Sequence, residues 1–126
     1  MSNILVVEDD ADIRDLVVFQ LGQDGHQVCA VADGPAALDA VQQRCPDLIV
    51  LDWMLPRLSG LQVCRLVRAM PSAEKVKILM LTVRVTDTDV VESLAAGVDE
   101  FMAKPFDLHD LRVRIRTLLA GADGGC

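Results

Sequence analysis

Four short segments with the composition of buried strands each end at a polar residue that a buried strand does not favour. The four are 4–7 before Glu8 and Asp9, 48–51 before Asp52, 78–81 before Thr82, and 100–103 before Lys104. In a parallel sheet these ends lie along one edge, which is where such sheets bind ligands. The pattern therefore predicts that carboxylates, a hydroxyl and an ammonium group converge in one cleft.

Strand and helix patterns alternate five times along the 126 residues. The predicted strands are 3–8, 27–31, 48–52, 76–82 and 99–103, and a helical pattern follows each of them. This order predicts an α/β fold of the (βα)5 type: a doubly wound, five-stranded parallel sheet with helices on both faces. The most apolar strand, 48–52, is expected at the sheet centre. We expect one domain over 1–120, and a flexible tail over 121–126.

Capping residues mark where the predicted helices begin and end. Asp10, Asp33, Ser59 and Thr86 (or Asp87) are typical N-caps, and Gly25 and Gly97 are placed to end helices in a left-handed conformation. Apolar residues recur at helical spacing in each helix. In the first helix they include Leu16, in the third Leu66, and in the fourth Val90, Val91, Leu94 and Ala95.

Composition argues against several classes of function. The net charge is −7, with 12 basic residues against 19 acidic ones, so direct nucleic-acid binding by this domain is not expected. No run is apolar and long enough to predict a membrane span. Cys29, Cys45 and Cys64 lie in apolar patterns and are interpreted as small core residues. A reducing cytoplasm is the expected location.

The acids at the strand ends predict a divalent cation. Two carboxylates about 4 Å apart repel by roughly 4 kcal/mol at an effective dielectric constant near 20. A cation relieves this repulsion, and oxygen ligands without nearby His or Cys favour Mg²⁺. We expect Asp9 and Asp52 to bind the ion directly, and Glu8 to bind it directly or through water.

The same cleft has the groups that phosphoryl transfer requires. A carboxylate can attack a phosphoryl donor and become an acyl phosphate, and Asp52 is the expected nucleophile because it follows the most central strand. The three oxygens of the transferred group would then meet Mg²⁺, the ammonium of Lys104 and the hydroxyl of Thr82.

These residues resemble the receiver domain of bacterial two-component response regulators. The resemblance runs from about Asn3 to Leu119. Within the family, the chain is most similar to receivers of the winged-helix transcription-factor branch. It rests on V-V-E-D-D at 6–10, L-D-W-M-L-P at 51–56, S-G at 59–60, L-T at 81–82, A-G-V-D-E-F at 96–101 and K-P-F at 104–106.

The resemblance implies a flavodoxin-like sheet in the order 2-1-3-4-5 and a function in signal transduction. It implies that a histidine kinase phosphorylates Asp52, and that Mg²⁺ binds Asp9, Asp52 and the backbone carbonyl of Met54, with Glu8 assisting. Thr82 and Lys104 would bind the phosphoryl group, and the Lys104–Pro105 peptide would be cis. The domain would assist only its own phosphorylation and dephosphorylation.

The resemblance also implies a switch. Thr82 would move toward the phosphate and Phe101 would turn inward, so that helix 4, strand 5 and helix 5 offer an altered surface to an output domain or a downstream protein. The chain would be a monomer or a phosphorylation-dependent dimer.

Three positions depart from the family pattern. Val83 follows the threonine where Ala or Gly is usual, which would narrow access to the acyl phosphate. Phe101 replaces the more frequent Tyr. Val90 occupies the position of a basic residue that, in the transcription-factor branch, pairs with an acid of helix 5 across a dimer interface, so the dimer of that branch is in doubt.

Alternative functions remain at this stage. A flavin carrier would share the fold, but Glu8, Asp9 and Asp10 would repel its phosphate. An aspartate-nucleophile phosphohydrolase would need a second acid where Met54 stands. A structural pseudo-receiver adaptor would normally lack the acid or the lysine retained here. The chain is either a stand-alone receiver or a domain of a longer regulator.

Overall fold

The computed structural model describes residues 2–73, 75–83 and 86–121. The strands are β1 (Asn3–Val7), β2 (Gln27–Val31), β3 (Leu48–Asp52), β4 (Lys77–Thr82) and β5 (Glu100–Ala103). The helices are α1 (Ala11–Gln23), α2 (Gly34–Gln43), α3 (Gly60–Arg68), α4 (Asp87–Ala96) and α5 (Leu108–Ala120), with a short 3-10 turn at Pro71–Ala73.

All five strands are parallel, and their order is β2-β1-β3-β4-β5. This confirms the predicted fold. The most apolar strand, β3, is central, and all five of its residues are buried.

Two apolar clusters cover the faces of the sheet. One cluster joins the sheet to α2, α3 and the end of α4. The other joins the opposite face to α1 and α5, through residues such as Leu21 and Ile115. Helices on both faces explain why the central strands are apolar on both sides instead of alternating.

The predicted caps are present. Asp10 caps α1, Asp33 caps α2, and Ser59 and Thr86 form capping boxes at the starts of α3 and α4. Gly97 ends α4 with φ +102° and Gly25 follows α1 with φ +89°, a conformation that glycine adopts without steric cost.

The outward side of α4 is unusual. Val91 is 66% exposed and Leu94 is 56% exposed, whereas Ser93 and Ala96 face the protein interior. The apolar stripe of an amphipathic helix normally faces the core. In α4 the small residues do so, and the large apolar side chains form a surface.

Leu16, Leu66 and Cys29 are more exposed than their apolar sequence patterns predict. Leu16 of α1 is 51% exposed and Leu66 of α3 is 44% exposed. Cys29 is exposed, so its interpretation as a core residue is wrong. It lies on the edge strand β2, which has a neighbouring strand on one side only. Cys64, in contrast, is fully buried.

The described tail ends at Gly121, so the predicted flexible segment lies almost entirely outside the described residues. In the described parts of the chain, no helix is both long enough and apolar enough to cross a membrane.

Candidate functional site

Three carboxylates meet at the carboxyl edge of the sheet. One oxygen each from Glu8, Asp9 and Asp52 lies within 4.8 Å of the others. Glu8 follows β1 directly and Asp52 ends β3, and the pairing of Val7 with Leu51 places these two strand ends side by side. Glu8 is 1% exposed and Asp52 is 3% exposed, whereas Asp9 is exposed.

The ammonium group of Lys104 lies between two of these acids. Its Nζ donates to Glu8 Oε1 and lies 3.2 Å from Asp52 Oδ2. The backbone positions it through β4, because the Lys104 amide donates to the carbonyl of Thr82 at 2.6 Å. The peptide bond between Lys104 and Pro105 is cis.

Burial and close charges shift the pKa values of two groups here. Desolvation, and next the interaction with the Asp52 carboxylate, raises the pKa of Glu8, although Lys104 opposes this shift. Desolvation lowers the pKa of Lys104, but the hydrogen bond to Glu8 and the charges of Asp52 and Glu8 outweigh it, so the net pKa is raised. Lys104 is therefore cationic at neutral pH, and its charge offsets part of the cost of burying the Glu8 carboxylate.

The loop after β3 is shaped around Asp52. The amide of Met54 donates to Asp52 Oδ1 at 3.2 Å, which makes a turn that holds the carboxylate. The amide of Gly60 donates to the carbonyl of Trp53 at 2.8 Å. A Cβ atom at residue 60 would lie 2.3 Å from the carbonyl oxygen of Asp52, so only glycine fits.

Gly60 has a role that sequence reasoning did not assign. The S-G pair at 59–60 is one of the motifs that carry the resemblance, and the reason for the glycine is the close approach of α3 to the backbone of Asp52. Such a contact between segments has no local sequence signal other than the glycine itself.

The other predicted site residues lie in or just after β3, β4 and β5. Thr82 is buried at the end of β4, one residue beyond Leu81, which pairs with Asp52. Phe101 is partly buried and packs against the core. The side chains of Met54 and Val83 are 67% and 62% exposed, respectively.

Known proteins are similar to this chain in both sequence and fold. The sequence model of the response regulator receiver domain matches residues 4–116. The phosphate regulon transcriptional regulatory protein PhoB of Rhizobium meliloti (strain 1021) is 38% identical over 122 residues, which cover 97% of this chain and 54% of that protein. The alkaline phosphatase synthesis transcriptional regulatory protein SphR of Synechococcus elongatus is 44% identical over 127 residues, covering 94% of this chain and 49% of that protein.

Solved structures of response regulators have a similar fold. The chemotaxis response regulator CheY4 of Vibrio cholerae superimposes with a TM-score of 0.90 at 30% identity, covering 94% of this chain and 98% of that one. The present chain spans about half the length of PhoB and SphR. From the matched residues, the shared fold and the clustered acids with their lysine, the chain belongs to the response regulator receiver domain family.

Proposed function

We propose that this chain is a phosphoacceptor in two-component signalling, in which a histidine kinase transfers a phosphoryl group to Asp52 in the cytoplasm. One contact carries the proposal: the ammonium of Lys104 lies 3.2 Å from Asp52 Oδ2, beside the carboxylates of Glu8 and Asp9. An isolated buried acid would be a poor acceptor, but this one has a cation beside the position that an incoming anion would occupy.

We infer that Mg²⁺ is the cofactor, and the donor set fits this ion. Glu8, Asp9 and Asp52 offer three carboxylate oxygens within 4.8 Å, and neither His nor Cys belongs to the cluster. Hard oxygen ligands of this kind favour Mg²⁺ over zinc or copper. When bound, the ion would neutralise negative charge on the phosphoryl oxygens.

The hydrogen bonds of Glu8 suggest how the ligands divide. Glu8 Oε1 accepts from Lys104, and Oε2 accepts from the amide of Asp10 at 3.4 Å. Because both oxygens are engaged, we propose that Asp9, Asp52 and the backbone carbonyl of Met54 bind Mg²⁺ directly, and that Glu8 acts through water.

In the proposed reaction, an Asp52 carboxylate oxygen forms a bond to phosphorus while the phosphorus–nitrogen bond of the kinase phosphohistidine breaks. The electron pair of that bond stays on the departing imidazole. The Lys104 ammonium holds one oxygen of the transferred group, and Thr82 donates its hydroxyl hydrogen to another. We propose that the domain assists only its own phosphorylation and dephosphorylation.

We propose that Thr82 and Phe101 transmit phosphorylation to the face formed by α4, β5 and α5. This face carries exposed apolar side chains: Val91 and Leu94 of α4, and Val113 of α5, which is 41% exposed. A contiguous patch of exposed apolar residues marks a docking surface, and we propose that these three side chains form one. An output domain or a downstream protein would bind here once the phosphoryl group favours one packing of the switch.

The rival phosphohydrolase function is less consistent with the site. It requires a second acid two residues after the nucleophile, and that position is Met54, whose side chain is 67% exposed. A pseudo-receiver adaptor would not need the cluster of acids around a cationic lysine.

Labelling with acetyl phosphate tests the proposal. Mass spectrometry should show the addition of one phosphoryl group that requires Mg²⁺ and is abolished by Asp52→Asn. Asp39→Asn is the matched control, because Asp39 is an exposed acid on α2. Undiminished labelling of Asp52→Asn would place the nucleophile elsewhere.

A further inference from the structure

A single residue holds the main chain on both sides of Asp9. Arg14 lies near the start of α1. Its amide donates to the carbonyl of Asp10 at 2.9 Å, as part of the helix. Its guanidinium Nη1 reaches back and donates to the carbonyl of Glu8 at 3.0 Å. Sequence analysis assigned no role to this arginine.

The position of Asp9 depends on these neighbours. Asp9 is exposed, and its carboxylate accepts no hydrogen bond from any residue that the structure describes. Glu8 is fixed further by its amide, which donates to the carbonyl of Val31 at 3.1 Å. Asp10 is fixed by its capping bonds to the amides of Asp12 and Ile13. Among the described residues, the contacts that fix the position of Asp9 are therefore those of the main chain and of its two neighbours.

We propose that Arg14 is a positioning residue for the cation site, which holds the loop at 8–10 so that Asp9 meets the geometry Mg²⁺ requires. This inference rests on the function proposed above. Mg²⁺ demands near-ideal octahedral coordination at short distances, whereas Ca²⁺ accepts longer and more variable distances. Outer contacts that orient a metal ligand affect affinity although they never touch the ion.

The direction in which Mg²⁺ affinity changes when Arg14 is replaced distinguishes a positioning role from a purely electrostatic one. A positive charge near an anionic site weakens cation binding by repulsion, so a purely electrostatic Arg14 would make Mg²⁺ bind more tightly when removed. If Arg14 instead positions the loop at 8–10, its removal should weaken Mg²⁺ binding. Among the described residues, Arg14 forms no ion pair with a carboxylate, and the contact it does make is with the main chain.

The test measures the affinity of the full chain for Mg²⁺ and for Ca²⁺, by isothermal titration calorimetry and by the fluorescence of Trp53. Arg14→Met keeps an aliphatic stem and removes the donor. We expect it to weaken Mg²⁺ binding about tenfold and to weaken Ca²⁺ binding less. Arg14→Lys keeps the charge and should be intermediate. Arg116→Met is the matched control, since Arg116 is an exposed residue of α5 and its loss changes the net charge equally.

Circular dichroism without metal establishes that each variant is folded, and Arg14→Gln replaces any variant that is not. Unchanged or tighter Mg²⁺ binding by Arg14→Met overturns the inference, as does an equal loss of Mg²⁺ and Ca²⁺ affinity or the same loss in Arg116→Met. Absence of Mg²⁺ binding by the wild-type chain overturns the proposed cofactor as well, so the two failures are distinguishable.

Discussion

At the scale of single residues, Glu8 shows the electrostatic cost of the site. It is 1% exposed and lies beside two further acids. Lys104 compensates only part of this cost, because the pKa of Glu8 remains raised by burial and by Asp52. Ionisation of Glu8 is therefore less favourable in the folded protein without a divalent cation than in the unfolded chain.

A pH series on Glu8→Gln tests this cost. The folded protein holds the Glu8 proton more tightly than the unfolded chain, so the contribution of Glu8 favours folding at low pH. It is lost as the pH rises from 4.5, the unperturbed pKa, through the raised folded value. In EDTA, Glu8→Gln should therefore raise the thermal midpoint at pH 7 and change it little below pH 4.5.

Glu92→Gln is the control for that series, because Glu92 is an exposed carboxylate of α4. Thermal unfolding monitored by circular dichroism gives the midpoints. If Glu8→Gln raised the thermal midpoint by the same amount at both pH values, ionisation of Glu8 would not be the source of the cost.

Val83 is a second residue that we expect to influence the site. It follows Thr82 directly, and its branched side chain is 62% exposed at the end of β4. If this side chain limits the approach of water, Val83→Ala should shorten the lifetime of the phosphorylated chain. Loss of the phosphoryl group over time, measured by mass spectrometry, gives the rate. Equal rates for Val83→Ala and wild type would remove the shielding role.

At the scale of elements, α3 is packed onto the backbone that carries the phosphoacceptor. Residue 60 can contribute no side chain there, because a Cβ atom would lie 2.3 Å from the Asp52 carbonyl oxygen and 2.9 Å from Trp53 Cα. Backbone atoms cannot move aside as a flexible side chain can. The turn that holds Asp52 therefore depends on the glycine at the start of α3.

Two glycine substitutions should have opposite effects. Gly60→Ala is expected to lower the free energy of unfolding by about 2–3 kcal/mol through overpacking, and to lower the rate of phosphorylation. Gly22→Ala, in α1, meets no atom within 4 Å and should raise stability by about 0.5–1 kcal/mol, the helical preference of Ala over Gly. Urea denaturation measures both, and a neutral Gly60→Ala would show that α3 can shift away.

At the scale of the whole molecule, the proposed partner face combines apolar side chains with charge. Glu100 of β5 and Arg114 of α5 form an ion pair at 3.2 Å beside the exposed Val113. Val90 occupies the position on α4 where the resemblance to the transcription-factor branch implies a basic residue. We expect the exposed acid Asp110 of α5 to pair with a basic residue at position 90 of a second copy.

Placing a basic residue at position 90 should strengthen self-association of the chain. Val90→Arg is expected to stabilise a two-fold dimer of the beryllofluoride-treated chain by up to about 1 kcal/mol for each ion pair, with two pairs related by symmetry. Sedimentation equilibrium at low salt gives the dissociation constant. Val90→Ala is the control, and equal dissociation constants for the two variants would exclude pairing across this face.

The sequence by itself determined the order of the elements, the caps and the identity of the residues at the strand ends. These features follow from local rules: period, capping chemistry, and the shared direction of parallel strands. That is why Asp10, Asp33 and Ser59 are predicted correctly as caps, why Thr86 is one of the two candidates for the cap of α4, and why β3 is predicted at the centre.

The tertiary structure alone decided which side of each helix meets a neighbour and which distant groups touch. Periodicity marks an apolar stripe but not what lies opposite it, so the outward stripe of α4 and the exposure of Cys29 were not foreseen. The contact of Lys104 with Glu8, 96 residues away, depends on the packing of complete elements. The hydrogen bond of Arg14 to the Glu8 carbonyl depends on the angle at which α1 follows β1. Packing fixes such distances to fractions of an ångström, whereas sequence spacing fixes only the strand end at which each group lies.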